Sequence, residues 1–211
     1  MKLAKEGVPF VTIPVLLAAA AALSGHSVAA LAFLFSCGLA LFFFRDPRRG
    51  LPAPRRAVLS PADGTIRGID PIPADPELGG PSRRIWIHLN LWDVHVNRVP
   101  IAGKILSVRY SPGRFLPAFL RRATVENERN RILIRSPGLT LAVEQIAGAL
   151  ARRIVCYRRP GEWVERGEKL GFIRFGSGVL LDLPEAVRLQ VRVGQRIRAG
   201  ETVVALLPEG V

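Results

Sequence analysis

Residues 8–44 contain no Asp, Glu, Lys or Arg, and charges crowd both ends of that run: Lys2, Lys5 and Glu6 before it, Arg45, Asp46, Arg48 and Arg49 after it. So long an apolar stretch must enter a membrane or fill a core. Near its middle lies the turn-forming cluster Ser24-Gly25-His26-Ser27. The run therefore reads as two apolar helices, 8–23 and 28–44, each a little under the roughly 20 residues that cross a bilayer comfortably. Both outer ends are basic, which by the positive-inside rule puts both in the cytoplasm. A hairpin entering the membrane from its cytoplasmic face meets both conditions, and the sequence leaves full spanning and shallow insertion open. A secretory signal fits poorly, because the apolar region is too long and no small-residue cleavage site precedes Phe42-Phe43-Phe44-Arg45. His26 reads as a solvated turn residue.

The 211 residues suffice for such an anchor, 1–50, and one ordinary domain, 51–211. There are 26 Arg and four Lys against 17 acidic residues, a formal charge of +13. The first 44 residues hold two Lys and one Glu, so +12 belongs to the rest. That excess points to an anionic partner, either phospholipid head groups or nucleic acid. Aromatic residues make up only 7%, poor material for stacking bases, so no nucleic-acid partner is expected. Two cysteines, Cys37 and Cys156, build neither a disulfide framework nor a zinc site.

From Val58 onward, short apolar runs alternate with Gly and Pro. Runs at 84–91, 103–110, 131–135, 140–145, 170–175 and 187–193 read as strands, several with polar and apolar residues alternating. The expected fold is mainly β (α+β): a barrel-sandwich-like β domain preceded by an N-terminal hydrophobic helical hairpin. Residues 117–124 and 145–154 are the helical candidates. A weak echo relates 164–170 to 191–197, each with a glycine suited to a positive-φ turn between strands. Such turns occur in lipoyl and biotinyl barrels, but the carrier lysine lacks its usual setting, since the only methionine is Met1.

Chemistry-bearing residues are few. His88 and His95 are the only histidines beyond the hairpin, and no metal-ligand cluster surrounds them, so no metal is expected. Asp63 sits in Ser60-Pro61-Ala62-Asp63-Gly64, which a plain β-turn would also explain. Glu126-Asn127-Glu128-Arg129-Asn130 is a dense polar cluster. Ser177, between Gly176 and Gly178, is not a nucleophile elbow, because Phe175 stands where that motif needs glycine. With no bulk on its acyl side, the Gly176–Ser177 bond is open to attack by the serine's own hydroxyl. On the residues alone, a non-catalytic membrane-tethered barrel that binds or scaffolds remains an alternative.

Taken in order, Phe43-Phe44-Arg45-Asp46-Pro47, Pro61-Ala62-Asp63-Gly64, Asp93-Val94-His95-Val96-Asn97-Arg98, Glu126-Asn127-Glu128-Arg129, Gln145-Ile146-Ala147-Gly148 and Arg174-Phe175-Gly176-Ser177 resemble the phosphatidylserine decarboxylase family, in its short bacterial and archaeal-like form. The resemblance covers nearly the whole chain. It implies a proenzyme that cuts itself between Gly176 and Ser177 into a β chain, 1–176, and an α chain, 177–211, whose first residue becomes a covalent pyruvoyl cofactor. That group would form a Schiff base with phosphatidylserine and release carbon dioxide, giving phosphatidylethanolamine. It also implies His95 as base with Asp63 orienting it, Arg98 as a binder of the lipid phosphate or serine carboxylate, and residence at the cytoplasmic face of the cell membrane. The implied partners are the anionic phospholipid, the membrane, the two chains of one precursor and, open to test, a second copy. Longer family members carry a second histidine where Arg98 stands. Either His95 serves both processing and decarboxylation, or a different group takes one task. Gly178 also replaces a bulkier residue, with an effect expected on processing rate.

Overall fold

The computed structural model describes residues 2–52, 54, 56–117, 119–149, 153–174 and 177–207, with Ser177 described by its backbone only. The chain divides into two compact units, 1–48 and 49–211.

In the first unit, helix α1 (Val8–Leu23) and helix α2 (Ser27–Phe43) form the expected hairpin. Gly25 at φ 76° lets the His26 N–H reach back to the Ala21 carbonyl at 2.8 Å, which closes α1. Pro14 inside α1 removes one ladder bond, a loss better tolerated in membrane helices than in soluble ones. Residues Lys5–Leu23 make a 19-residue helical segment with mean hydropathy 1.8, long and apolar enough to cross a membrane, whereas α2 has 17 residues. Leu16, Leu23, Val28 and Phe35 are 66% or more exposed alongside Leu31, which a soluble core helix would not allow. The two ends of the hairpin are tied together. Lys2–Leu3 pairs with Arg45–Asp46, the Ala4 N–H donates to the Phe44 carbonyl at 2.8 Å, and Phe10 stacks on Phe44.

The second unit is β, and 43% of the chain is strand. An eight-stranded, curled half-barrel sheet runs in the order Trp163–Val164, Gly103–Ser111, Arg129–Ser136, Leu139–Ile146, Ser177–Pro184, Gly80–Leu89, Gly64–Asp75, Arg196–Ile197. Two three-stranded sheets accompany it: Ile154–Cys156 with Lys169–Ile173 and Val96–Arg98, and Arg188–Leu189 with Val203–Leu206 and Ala57–Leu59. Alternation decides the faces. Ile85, Ile87, Leu89, Val179, Leu181, Leu183, Leu141 and Val143 share one core with Val58, Leu170, Ile173 and Val204 of the smaller sheets. The partners between them, Arg84, Trp86, Leu180, Asp182 and Glu144, occupy the opposite face.

The mainly β fold with its N-terminal hairpin is therefore as the sequence predicts, and three local expectations are corrected. Gln145 and Ile146 end a strand rather than start a helix, because their backbone pairs with Asn130 and Arg129. Of 187–193 only Arg188–Leu189 is strand, the chain turning at Arg192–Gln195 where Gly194 adopts φ 85°. In place of a helix at 117–124 there is one turn, α3 (Ala123–Glu126). The echo is genuine at the turns. The Glu168 N–H bonds the Glu165 carbonyl and the Gln195 N–H bonds the Arg192 carbonyl, with Gly167 and Gly194 at positive φ in the third turn position.

Candidate active site

Ser177 opens the central strand of the large sheet, paired with Leu89, and Gly178 pairs with His88 on one side and Ile146 on the other. Gly176, the acyl half of the expected scissile bond, lies outside the described residues, as does the Ser177 side chain. Upstream, Ile173 ends its strand, and its N–H donates to the carbonyl of His95 at 3.3 Å. The four-residue link keeps Ser177 within about 14 Å of Ile173. The backbone bond from Ile173 thus ties His95 to a residue four positions before Ser177.

His95 is fully buried, its ring 6.4 Å from that of Phe172. Its Nδ1 lies 2.9 Å from the Asp93 carbonyl oxygen. A carbonyl only accepts, so Nδ1 carries the proton and Nε2 keeps a basic lone pair. Asp93 is itself fixed: Oδ2 accepts the Asn90 N–H at 2.8 Å, and Oδ1 pairs with Arg196 Nη2 at 2.6 Å. Nδ1 of His95 is thus committed to a main-chain carbonyl, and no hydrogen bond joins His95 to Asp63 among the described residues. Asp63 is engaged elsewhere. Arg49 Nη2 donates to its two oxygens at 2.9 and 2.8 Å, and the Ala199 N–H donates to Oδ1 at 2.7 Å. Gly64 beside it, at φ 150°, is required, since a Cβ there would lie 2.3 Å from the His88 carbonyl oxygen. Arg98 is nearly buried, its Nη1 donating to the Gly167 carbonyl at 3.0 Å and its N–H to the Pro61 carbonyl at 2.9 Å.

Sequence reasoning missed a polar chain inside the core. Asn130 Nδ2 donates to Gln145 Oε1 at 3.0 Å, and Gln145 Nε2 donates to Asn97 Oδ1 at 2.9 Å. All three residues are buried, and Asn97 Nδ2 has no partner among the described residues. Gly171, paired with Asn97, leaves room for it: a Cβ there would come within 2.5 Å of Gln145 Nε2. A one-way relay of amides thus ends in an unspent donor two residues from His95. The signal was polar residues at inward positions of apolar strands, within motifs noticed only for their family likeness.

His88, across from Gly178, is buried with Nδ1 unpartnered among the described residues. Burial, reinforced by the positive charge of Arg67, pushes its pKa below the usual histidine range. Burial raises the Cys156 thiol, which leaves it a poor nucleophile. Among the described residues no three His, Cys, Asp or Glu side chains gather as metal ligands would.

Residues 38–205 match the family model described as phosphatidylserine decarboxylase. Curated relatives agree over nearly their full length. A protein named phosphatidylserine decarboxylase proenzyme from Magnetococcus marinus is 42% identical over 206 residues, covering 97% of this chain and 94% of its own. One of the same name from Geobacter metallireducens is 42% identical over 212 residues, covering 98% and 97%. With that match running through the buried His95 and the strand that Ser177 opens, the chain belongs to the phosphatidylserine decarboxylase family.

Proposed function

We propose that this enzyme converts phosphatidylserine to phosphatidylethanolamine and carbon dioxide at the cytoplasmic face of the cell membrane, and that it first cuts its own backbone before Ser177. Besides the family, one observation carries the reading: a buried histidine with Nδ1 committed to a carbonyl is hydrogen-bonded through its backbone to Ile173, four positions before Ser177.

In processing, the Ser177 hydroxyl gives its proton to a base and adds to the Gly176 carbonyl. The C–N bond breaks as the nitrogen takes up a proton, leaving an ester. Loss of the Ser177 Cα proton then expels the Gly176 carboxylate from Cβ. The dehydroalanine so formed takes up water and releases ammonia, so the chain 177–211 begins with a pyruvoyl group. His95 is our candidate for the first base. Asp63, bonded to Arg49 and to the Ala199 amide, serves as a positioning residue for the turn after residue 198.

The residues present fit a keto group, because Asn97 offers a buried donor without a partner among the described residues, two positions from His95. Once formed, a pyruvoyl group would supply a ketone carbon with which the substrate amine condenses, its oxygen leaving as water, and an electron sink for the pair left as carbon dioxide departs. Asn97 would hold its oxygen, and Leu89, Phe172 and Ile173, all buried, exclude water. Arg98 remains our candidate for the lipid phosphate or the serine carboxylate.

Purified full-length chain should release carbon dioxide from phosphatidylserine in mixed micelles. His95→Ala should lower the rate of processing or of carbon dioxide release by about 10²–10⁴. Undiminished release from an uncut Ser177→Ala chain would contradict the proposal.

A further inference from the structure

Residues 111–125 contain Arg114, Arg121 and Arg122 and no acidic residue. Phe115, Phe119 and Val125 in the same segment are 38%, 63% and 67% exposed. Apolar side chains in a loose loop would fold back onto the nearby sheet, but the base of this loop is locked. The Arg114 N–H donates to the Glu126 carbonyl at 2.8 Å, and the Glu128 N–H to the Arg114 carbonyl at 3.0 Å. Asn127, fully buried, accepts the Leu116 N–H at 2.9 Å and donates to the Leu116 and Ala147 carbonyls at 2.8 and 2.7 Å. Gly113 lies so close to the Asn127 backbone that a Cβ would come within 2.4 Å of it. The result is a closed loop whose ends are zipped and whose phenylalanines stay outside.

We propose that this loop is a second lipid-docking element, separate in sequence from the N-terminal hairpin, whose occupant is the surface of an anionic bilayer. The inference rests on the lipid-substrate reading above. Charge complementarity selects the occupant. Arginines with no acidic residue among them, set beside protruding aromatic and β-branched side chains, match head groups above and acyl chains below. The Arg121–Asp70 and Arg114–Glu126 pairs do not spend that charge, because the arginine side chains are 78% and 73% exposed and such pairs are weak. Arg121, Arg122 and Val125 also line a cleft of about 520 Å³ with Asp70, Pro71 and Ile72. The tether to Ala147 gives the docking a use. Ala147 follows Ile146, the partner of Gly178, so the loop is fastened beside the strand that Ser177 opens.

The test uses full-length chain with Cys37→Ser, Cys156→Ser and Phe119→Cys, labelled at the new thiol with an environment-sensitive fluorophore. Reconstitution is in phosphatidylcholine vesicles, with or without phosphatidylglycerol. Val193→Cys, at a residue 57% exposed on another turn, is the control. The expected result is a blue shift and quenching by brominated acyl chains at position 119 in the anionic vesicles, weakened by salt and absent at position 193. Adding Ser177→Ala should leave the signal unchanged, so failure of self-processing and failure of docking read out separately. Separately, Arg121→Glu with Arg122→Glu should raise the apparent KM for vesicle phosphatidylserine about tenfold, with kcat and turnover of a dissolved short-chain substrate retained. A label at 119 that stays in water on every vesicle overturns the proposal. So does concentration-dependent shielding without vesicles, which would assign the surface to a second copy, and so does an equal loss on vesicle and dissolved substrates.

Discussion

Asp63, which the family resemblance offers as the orienter of His95, and Asp93 are each held by other groups in the fold. Asp63 stands in the turn that looks catalytic, yet its carboxylate is taken up by Arg49 and the Ala199 amide. Asp93 presents the main-chain carbonyl that accepts from His95 Nδ1. Sequence identifies both residues and the histidine, but it cannot tell a carboxylate partner from a main-chain one, because that difference lies in the path of the chain between 90 and 95. Asn97 illustrates the same limit: its motif is visible, but its unspent donor emerges only when Gln145 and Asn130 arrive from distant strands. Asn97→Leu removes the donor and strands Gln145, so decarboxylation should fall about 10²–10³-fold, as for loss of one oxyanion donor. Fragment masses and carbon dioxide release on the same sample would check this, and parental rates would remove Asn97 from the site. His88 gives a pH prediction. Its folded pKa is depressed, so the unfolded chain binds the proton more readily, and the stability from neutral His88 is present above about pH 6.5 and lost as pH falls below it. Melting temperature should decline on acidification in that window, and His88→Phe should flatten the decline.

The strand Ser177–Pro184 joins what self-processing would separate. It sits between Leu139–Ile146 and Gly80–Leu89, so the second chain would supply the middle of the large sheet. On its core face Val179, Leu181 and Leu183 are fully buried, and on the other Asp182 is also fully buried. Arg84 Nε and Nη2 donate to the two Asp182 oxygens at 2.8 Å each, and Arg131 Nη1 donates to Oδ2 at 2.6 Å. Arg131 also reaches Asp75 at 2.7 Å, Glu77 at 2.8 Å and Glu144 at 3.5 Å. Burial lowers the Arg131 pKa, but the hydrogen bond to Asp182 together with the charges of Asp182, Asp75 and Glu144 overcomes it and raises the pKa, and the bond to Asp182 raises that of Arg84. Removing Asp182 takes the bidentate partner of Arg84 and one of the four acids around Arg131, so Asp182→Ala should destabilise the folded protein by about 1–3 kcal/mol, read as a lower melting temperature. An unchanged melting temperature would remove this network from the account of how the fragments stay together. Elements of this sheet were legible where polar and apolar residues alternate, as at 103–110 and 140–145. The long strand Gly64–Asp75 was not, because its two prolines and scattered polar residues mask the period.

At the scale of the whole molecule, under the proposed function the apolar hairpin with its ends tied together and the basic β unit would divide the work of reaching a lipid and of transforming it. The hairpin was the most legible part, since an uncharged run broken by one turn allows few other structures, and its helices begin and end within a residue of the predicted bounds. The barrel-like unit was legible as a class but not as a topology, because pairing between 177–184, 139–146 and 80–89 is set by long-range register that no local pattern encodes. Adding phosphatidylglycerol vesicles to the detergent-free chain should recruit it through both the apolar hairpin and the β unit, whose residues 49–211 carry +11, and only the second contribution should weaken with salt. A flotation assay across ionic strengths separates the two. The most direct test of the central claim is the intact mass of the freshly purified full-length chain. The account predicts two species, residues 1–176 and residues 177–211, the smaller one ammonia lighter with a keto oxygen in place of its amine and hydroxyl, and a single uncut species for Ser177→Ala. A single uncut mass for folded, decarboxylating protein would contradict it.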